Sequence, residues 1–237
     1  SRDAEGRYLV HARDALAALF DVGGARVREV AFVPYAGVTI AWDAYTAMVA
    51  EALGPLGVGV RGVHAIDHPA ALVRDAAAVA VGGGNTFHLL AHLQRRGLVP
   101  VLRERALGGM PYVGWSAGSV VAGPTIQTTN DMPIVLPPDG FGALGVIGVQ
   151  LNAHYTEFHP PGFRGETRIE RLTEYLAANP RATVLGLPEG TWLDVRGPSI
   201  ALGGAHDAAL FTAGAERRWV RGALDAIETA AFASASE

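Results

Sequence analysis

Residues Ala76 to Val81 are alanine or valine at every position, and the run ends in Gly82-Gly83-Gly84. A strand with no polar face must be covered on both sides, which is the situation of a parallel sheet between two layers of helices. The surrounding chain repeats the pattern. Val27 to Val33 reads as a buried strand ending in Pro34-Tyr35-Ala36-Gly37, Trp42 to Leu53 as a helix stopped by Gly54-Pro55, and Val58 to Ile66 as a second strand. An earlier helix spans residues 11 to 20, and others are expected over Pro69 to Arg74, Phe87 to Arg95, Leu98 to Ala106 and Glu166 to Ala178. Tyr112 to Trp115, Val146 to Tyr155 and Thr183 to Leu187 add strands. Trp192 to Val195, Ser199 to Leu202 and Ala208 to Thr212 read as short antiparallel strands, and Glu216 to about Phe232 as a closing helix. The expected fold is α/β, a three-layer arrangement with a mostly parallel central sheet, helices on both faces and a small antiparallel extension near the C-terminus. No linker, repeat or charge run divides the 237 residues, so residues 1–237 are expected to form a single domain.

Composition removes several classes of function. A net charge of −4 without a basic cluster gives no footprint for nucleic acid. There is no cysteine, hence no disulfide, thiolate nucleophile or Cys-ligated metal. There is no lysine, which excludes Schiff-base chemistry and a lysine general base. The start, Ser1 to Arg7, has no apolar core of a leader, and no apolar run reaches membrane-spanning length, so a cytoplasmic protein without a membrane partner is expected. Homo-oligomerisation is left open.

The chemistry centres on Gly114-Trp-Ser-Ala-Gly118. A strand that turns sharply into a helix on a serine exposes the hydroxyl at the sheet's carboxyl edge, and the flanking glycines let backbone and helix approach closely. Ser116 is the candidate nucleophile. Its base must reach the same edge. His154 ends one strand-like segment and Glu189 another, giving the order serine, histidine, acid. The opposite order, as in α/β-hydrolases, would use Ser116, then Glu189 or Asp194, then His206. Gly82 to Thr86 could present an amide to an oxyanion, while a plain strand–helix turn explains that segment equally well. His88 and His92, four apart on one helical face, match a zinc spacing but lack a third ligand, so an ordinary helix edge is the better reading and no metal or cofactor is expected.

Several motifs occur together in order: Val33-Pro-Tyr-Ala-Gly-Val-Thr39, Gly82-Gly-Gly-Asn-Thr-Phe87, Gly114-Trp-Ser-Ala-Gly118, Thr129-Asn-Asp-Met-Pro-Ile134, Gly165-Glu-Thr-Arg168 and Gly186-Leu-Pro-Glu-Gly190. From about Val30 to Phe211 the sequence thereby resembles the peptidase E family, bacterial α-aspartyl dipeptidases of serine type whose fold is akin to class I glutamine amidotransferases. The resemblance implies Ser116 as nucleophile, His154 as general base and Glu189 as orienting acid, with the Gly84 and Ala117 amides as oxyanion hole. It implies that Arg168 recognises an aspartyl carboxylate, a role for which a guanidinium is suited. Asp131 would shape the pocket or bind the substrate's amino group, and ranks below Glu189 as triad acid. The implied substrate is a small peptide with an N-terminal aspartate. The sequence departs from the family at Ala153, where proline is common, at Tyr155, where phenylalanine is usual, and over Glu157 to Pro161. A β-aspartyl-peptide hydrolase of the cyanophycin type, an esterase, and a catalytically silent binding module are the alternatives.

Overall fold

The computed structural model describes residues 8–197 and 199–224. Helix α1 (Arg13–Leu19) leads into a hairpin of β1 (Asp21–Val22) and β2 (Ala25–Arg26), whose two-residue turn uses Gly23 and Gly24 at positive φ. Next come β3 (Glu29–Val33), α2 (Trp42–Leu53), β4 (Gly59–Gly62), α3 (Pro69–Asp75), β5 (Val79–Val81), α4 (Thr86–Arg95), α5 (Leu98–Leu107), β6 (Tyr112–Gly114) and α6 (Ala117–Val120). The remainder holds β7 (Gln150–Ala153), α7 (Arg168–Ala178), β8 (Thr183–Leu187), β9 (Thr191–Arg196), β10 (Ser199–Gly204), β11 (Ala208–Thr212), β12 (Arg218–Val220) and β13 (Gly222–Ala223).

The expected parallel sheet is present in the order β4-β3-β5-β6. Alternate side chains leave it in opposite directions. Val30, Phe32, Ala78 and Ala80 pack with Leu16 and Phe20 of the α1 region and with Tyr45, Val49 and Leu53 of α2. Ala31, Val33, Val79 and Val81 pack with Val73 of α3, Leu89, Leu90 and Leu93 of α4, and Leu98 and Leu102 of α5. Burial on both faces is the physical reason these strands carry no polar alternation. The chain passes outward from β3 to β4 and then back across β3 to β5, so the connections diverge between β3 and β5. Ligands of open parallel sheets bind beyond the carboxyl ends of strands at such a divergence.

The strands that carry His154 and Glu189 lie in a second, mixed sheet of order β12-β11-β8-β7, in which β7 and β8 are the parallel pair and the other pairings are antiparallel. One face packs through Val184, Ala209 and Phe211 on Leu172 and Leu176 of α7. The other packs through Leu151, Leu185, Leu187 and Leu210 on Ile200 and Leu202 of an antiparallel sheet, β13-β10-β9.

Local differences from expectation have local causes. The helix expected over residues 216 to 224 is instead β12 and β13, because Val220 and Leu224 are buried against the two C-terminal sheets and edge pairing with β11 and β10 satisfies the backbone. The rest of that expected helix, residues 225 to 232, lies outside the described residues. The helix after Ser116 shortens to the single turn α6, and the strand expected from Val146 shortens to Gln150–Ala153. Among the described residues no helix is long and apolar enough to cross a membrane.

Candidate active site

Ser116 sits between β6 and α6 with φ 53° and ψ −117°, one of three non-glycine residues at positive φ among those described. Its neighbours are glycines because backbone meets backbone here. A Cβ on Gly114 would lie 2.1 Å from the Gly118 carbonyl oxygen, and one on Gly118 would lie 2.1 Å from the Val81 carbonyl oxygen. A Cβ on Gly83 would meet the Cβ of Ser116 at 2.9 Å. Backbone strain of this kind costs on the order of 1–3 kcal/mol and persists only where surrounding structure enforces it.

His154 follows β7 and is a second positive-φ residue, at 56°. Its Nε2 lies 2.7 Å from Ser116 Oγ, and its Nδ1 contacts Glu189 Oε1. Glu189 is two residues beyond the end of β8, and because Ala153 of β7 pairs in parallel with Leu187 of β8, both side chains emerge at one edge. With Nδ1–H donating to the carboxylate, Nε2 is left unprotonated and accepts from the serine hydroxyl. Burial acts to raise the Glu189 carboxyl, but the hydrogen bond and charge of His154 oppose it, and the net shift is downward. His206 lies in the turn between β10 and β11, where its carbonyl accepts from Thr191 Oγ1, and Asp194 pairs with Arg196. Among the described residues, the imidazole bonded to Ser116 Oγ is that of His154.

Gly84 lines the same cleft as Ser116 and Ala117 follows Ser116 in the chain, and among the described residues neither N–H donates to another backbone group. Gly84 requires glycine twice over: its φ is 137°, and a Cβ would lie 2.2 Å from the Ala36 carbonyl oxygen. Tyr45 of α2 secures the preceding residue, its hydroxyl donating to the Gly83 carbonyl at 3.1 Å while accepting from Trp115 Nε1 at 3.1 Å. Ser116 opens onto a cleft of about 500 Å³ lined by Val38, Ile40, Met48, Gly84 and Ile134.

Arg168 is the first residue of α7. Thr167 caps the helix: its hydroxyl accepts from Glu170 N at 3.2 Å, and Glu170 Oε2 accepts from Thr167 N at 2.7 Å. The guanidinium is held half-buried, and its Nη1 has no hydrogen-bond partner among the described residues. Burial lowers its pKa, Arg171 lowers it further, and the charge of Asp131 partly compensates. Asp131 does not contact His154. Its Oδ2 accepts from Thr86 N at 2.7 Å and from Thr86 Oγ1 at 2.5 Å, placing a carboxylate at the N-terminus of α4. Asn85 caps the same helix by accepting from His88 N.

One group of supporting residues escaped sequence reasoning. Thr128 Oγ1 donates to the Leu151 carbonyl, Asn152 Nδ2 to the Thr128 carbonyl at 2.7 Å, and Asn130 Nδ2 to the Ala153 carbonyl at 2.8 Å. These bonds stitch the loop that carries Asp131 along the open edge of β7, next to His154. A Thr-Thr-Asn-Asp run reads as turn material, and its only signal was an excess of short side chains able to bond a backbone. The imidazoles of His88 and His92 face each other, with Nε2 to Nε2 at 3.3 Å. Among the described residues no group of three or more metal-ligating side chains is arranged around a common point.

Over 189 residues the chain is 49% identical to peptidase E of Citrobacter koseri, covering 80% of this chain and 82% of that protein. It is 48% identical over the same span to peptidase E of Salmonella typhimurium, again covering 80% and 82%. A crystal structure of a peptidase from an acI-B1 actinobacterium superposes with a TM-score of 0.63 at 19% identity, covering 91% of this chain and 93% of that one, and so shares the fold. The model of peptidase family S51 matches residues 1–203, and the chain belongs to that family.

Proposed function

We propose that this peptidase is a serine dipeptidase that hydrolyses the bond after an N-terminal aspartate. The observation that carries the reading is the unbroken chain from Ser116 Oγ to His154 Nε2 at 2.7 Å, and from His154 Nδ1 to Glu189. In this reaction His154 takes the hydroxyl proton as Ser116 Oγ bonds to the scissile carbonyl carbon, and the carbonyl oxygen becomes an oxyanion held by the Gly84 and Ala117 amides. Collapse of the tetrahedral intermediate breaks the C–N bond, and His154 returns the proton to the leaving amine. Water then attacks the aspartyl ester of Ser116 with His154 again as base, the acyl carbon–Oγ bond breaks to release aspartate, and His154 returns the proton to Ser116 Oγ. Glu189, ionised at neutral pH, fixes the imidazole tautomer and balances its transient charge.

Specificity follows from Arg168. A buried guanidinium nitrogen with no protein partner among the described residues is costly unless a ligand pairs with it, and a carboxylate is the ligand that a guanidinium binds best. Asp131 at the start of α4 supplies the opposite charge for the substrate's free ammonium. The relatives named peptidase E support a peptidase, and a cytoplasmic location suits an enzyme of free dipeptides.

The test is a panel of Asp-Leu, Asn-Leu, Ala-Leu, a β-aspartyl dipeptide and a simple ester with wild type and Arg168→Met. Asp-Leu is expected to be the preferred substrate, and Arg168→Met to lower its kcat/KM by about a hundredfold while sparing Asn-Leu. Equal turnover of Ala-Leu and Asp-Leu by wild type would refute the assignment of Arg168. Preference for the β-linked peptide or the ester would replace the substrate, and inertness toward all five would leave a binding module.

A further inference from the structure

We propose that Arg96, His92 and His88 form a one-way hydrogen-bond relay that positions the loop behind the Gly84 amide, making them positioning residues for the oxyanion site. The inference rests on the assignment of Gly84 given above. The three residues are spaced by four and so share a face of α4 and its C-terminal cap. Arg96 Nη1 lies 2.6 Å from His92 Nδ1, His92 Nε2 lies 3.3 Å from His88 Nε2, and His88 Nδ1 lies 2.6 Å from the Tyr35 carbonyl oxygen.

The two ends determine everything between them. A guanidinium can only donate and a carbonyl can only accept. His92 Nδ1 is therefore an acceptor, which puts the His92 proton on Nε2. His88 Nδ1 is a donor, which leaves His88 Nε2 to accept from His92. Both imidazoles are neutral and each is fixed in a different tautomer. A second proton on either ring would set donor against donor. The surroundings oppose that proton: His92 is pushed down to about 4 by burial first, then by His88, Arg96 and Arg95. Beyond Trp42, which packs on His92 at 5.2 Å, lie the titratable side chains His64 and Asp43, bonded to each other at 2.7 Å.

The relay ends on the segment that Gly84 leans against. In Pro34-Tyr35-Ala36-Gly37 every carbonyl is held. Pro34 accepts from Gly37 N at 2.9 Å, Tyr35 from His88, Ala36 from Asn85 N at 2.9 Å, and Gly37 from Trp42 Nε1 at 3.0 Å. His92 stacks on the Tyr35 ring at 5.3 Å and the Arg96 guanidinium lies 4.6 Å from its centroid, so the side chain is clamped as well as the carbonyl. The Ala36 carbonyl is the group that excludes any side chain at Gly84. A shift of this segment therefore moves the amide, and an oxyanion donor moved by a fraction of an ångström loses transition-state stabilisation while substrate binding is little changed.

The experiment compares His88→Leu, which removes the donor to Tyr35, with His88→Asn, whose amide nitrogen replaces Nδ1. Steady-state kinetics on Asp-Leu are read beside nitrogen-15 spectra of the wild-type imidazoles. His88→Leu is expected to lower kcat about tenfold with KM within about twofold, and His88→Asn to restore most of the loss. The spectra are expected to show the Nδ1–H tautomer for His88 and the Nε2–H tautomer for His92. Unchanged kcat in His88→Leu, an effect confined to KM, or an Nε2–H tautomer at His88 would overturn the relay. The spectra decide the matter if His88→Leu does not fold. Failure of wild type to cleave Asp-Leu would count against the proposed function instead, because the tautomers are read without substrate.

Discussion

The two halves of the candidate site are held by different forces. On the parallel-sheet side, Ser116 is placed by backbone sterics: Gly114, Gly118 and Gly83 bring main chain within contact of main chain, and the serine accepts a strained φ as a result. On the mixed-sheet side, His154 and Glu189 reach out from strand ends with 44% and 59% of their side-chain surface exposed, and they are placed by hydrogen bonds. The first half is rigid because any movement collides with backbone. The second can adjust, as a base must while it carries a proton between two partners. Substitution of the elbow glycines should therefore disturb stability as well as activity, and substitution of the ionisable pair His154–Glu189 should disturb activity far more than stability.

Ser116→Gly tests the contrast most severely. Activity should fall by at least about 10⁴-fold with the nucleophile gone, while thermal stability rises by about 1 kcal/mol, because glycine relieves the positive φ. A variant that is inactive and less stable would show that Ser116 is not strained. Glu189→Gln comes next. The amide cannot stabilise the imidazolium and allows the wrong tautomer, so kcat should fall about a thousandfold, while the melting temperature at neutral pH falls only by the small stabilisation that a largely exposed pair contributes. Because the Glu189 carboxyl is held below its ordinary value in the native state, its stabilisation is present above the unfolded carboxyl pKa and is lost as pH falls through the lowered native one. Melting curves taken between neutral pH and about pH 3 should therefore show less acid sensitivity in Glu189→Gln.

Two glycine-to-alanine changes sharpen the comparison. Gly118→Ala forces a Cβ to 2.1 Å from the Val81 carbonyl oxygen and should cost about 3 kcal/mol in urea denaturation, with activity lost because β5 and α6 must separate. Gly190→Ala, beside Glu189, has φ 74° but nothing within 4 Å of the added carbon. It should cost only the left-handed penalty of about 1–2 kcal/mol and leave activity within a few-fold. Equal costs at the two positions would erase the distinction drawn between the halves.

What was legible in the sequence divides along the same line. The parallel sheet announced itself because both its faces are buried, so Val79 to Val81 could carry no polar residue, and the elbow was visible because only glycine satisfies its close approaches. His154 and Glu189 were found as strand-end residues because parallel pairing of β7 with β8 aligns such ends. The stitching of Thr128, Asn130 and Asn152 was not legible, since short polar side chains bond whatever backbone the tertiary fold brings near. Nor was the use of His88 and His92, whose spacing fits a metal as well as a relay and is decided by Arg96 and the Tyr35 carbonyl at its two ends. The strands at Arg218–Val220 and Gly222–Ala223 were misread as helix because a segment rich in alanine, glutamate and arginine has helical propensity that edge pairing overrides.

The smallest expected effect is at Tyr155, immediately after His154, and it asks whether side-chain bonding behind the base matters as much as the bonds in front. The Tyr155 ring is buried on Gly186, where an added Cβ would meet it at 2.7 Å, and the Tyr155 N–H donates to the Leu187 carbonyl at 3.0 Å. Those two contacts set the backbone of His154, and phenylalanine retains both. Only the hydroxyl is lost. It donates to Glu157 Oε1 at 2.6 Å, and Glu157 keeps its other partner, Arg217 Nη1, at 2.7 Å. Burial, and then Glu157, raise the phenol's pKa, so the group is a neutral donor throughout the working range and no charge is stranded by its removal. Tyr155→Phe should thus cost about 1 kcal/mol in stability and leave kcat within about threefold, since a net hydrogen bond of that size remote from the reacting atoms shifts the imidazole little. A loss of activity comparable to that of Glu189→Gln would mean that the histidine is aimed by its rear network, and that the adjustable half of the site is as tightly built as the glycine elbow opposite it.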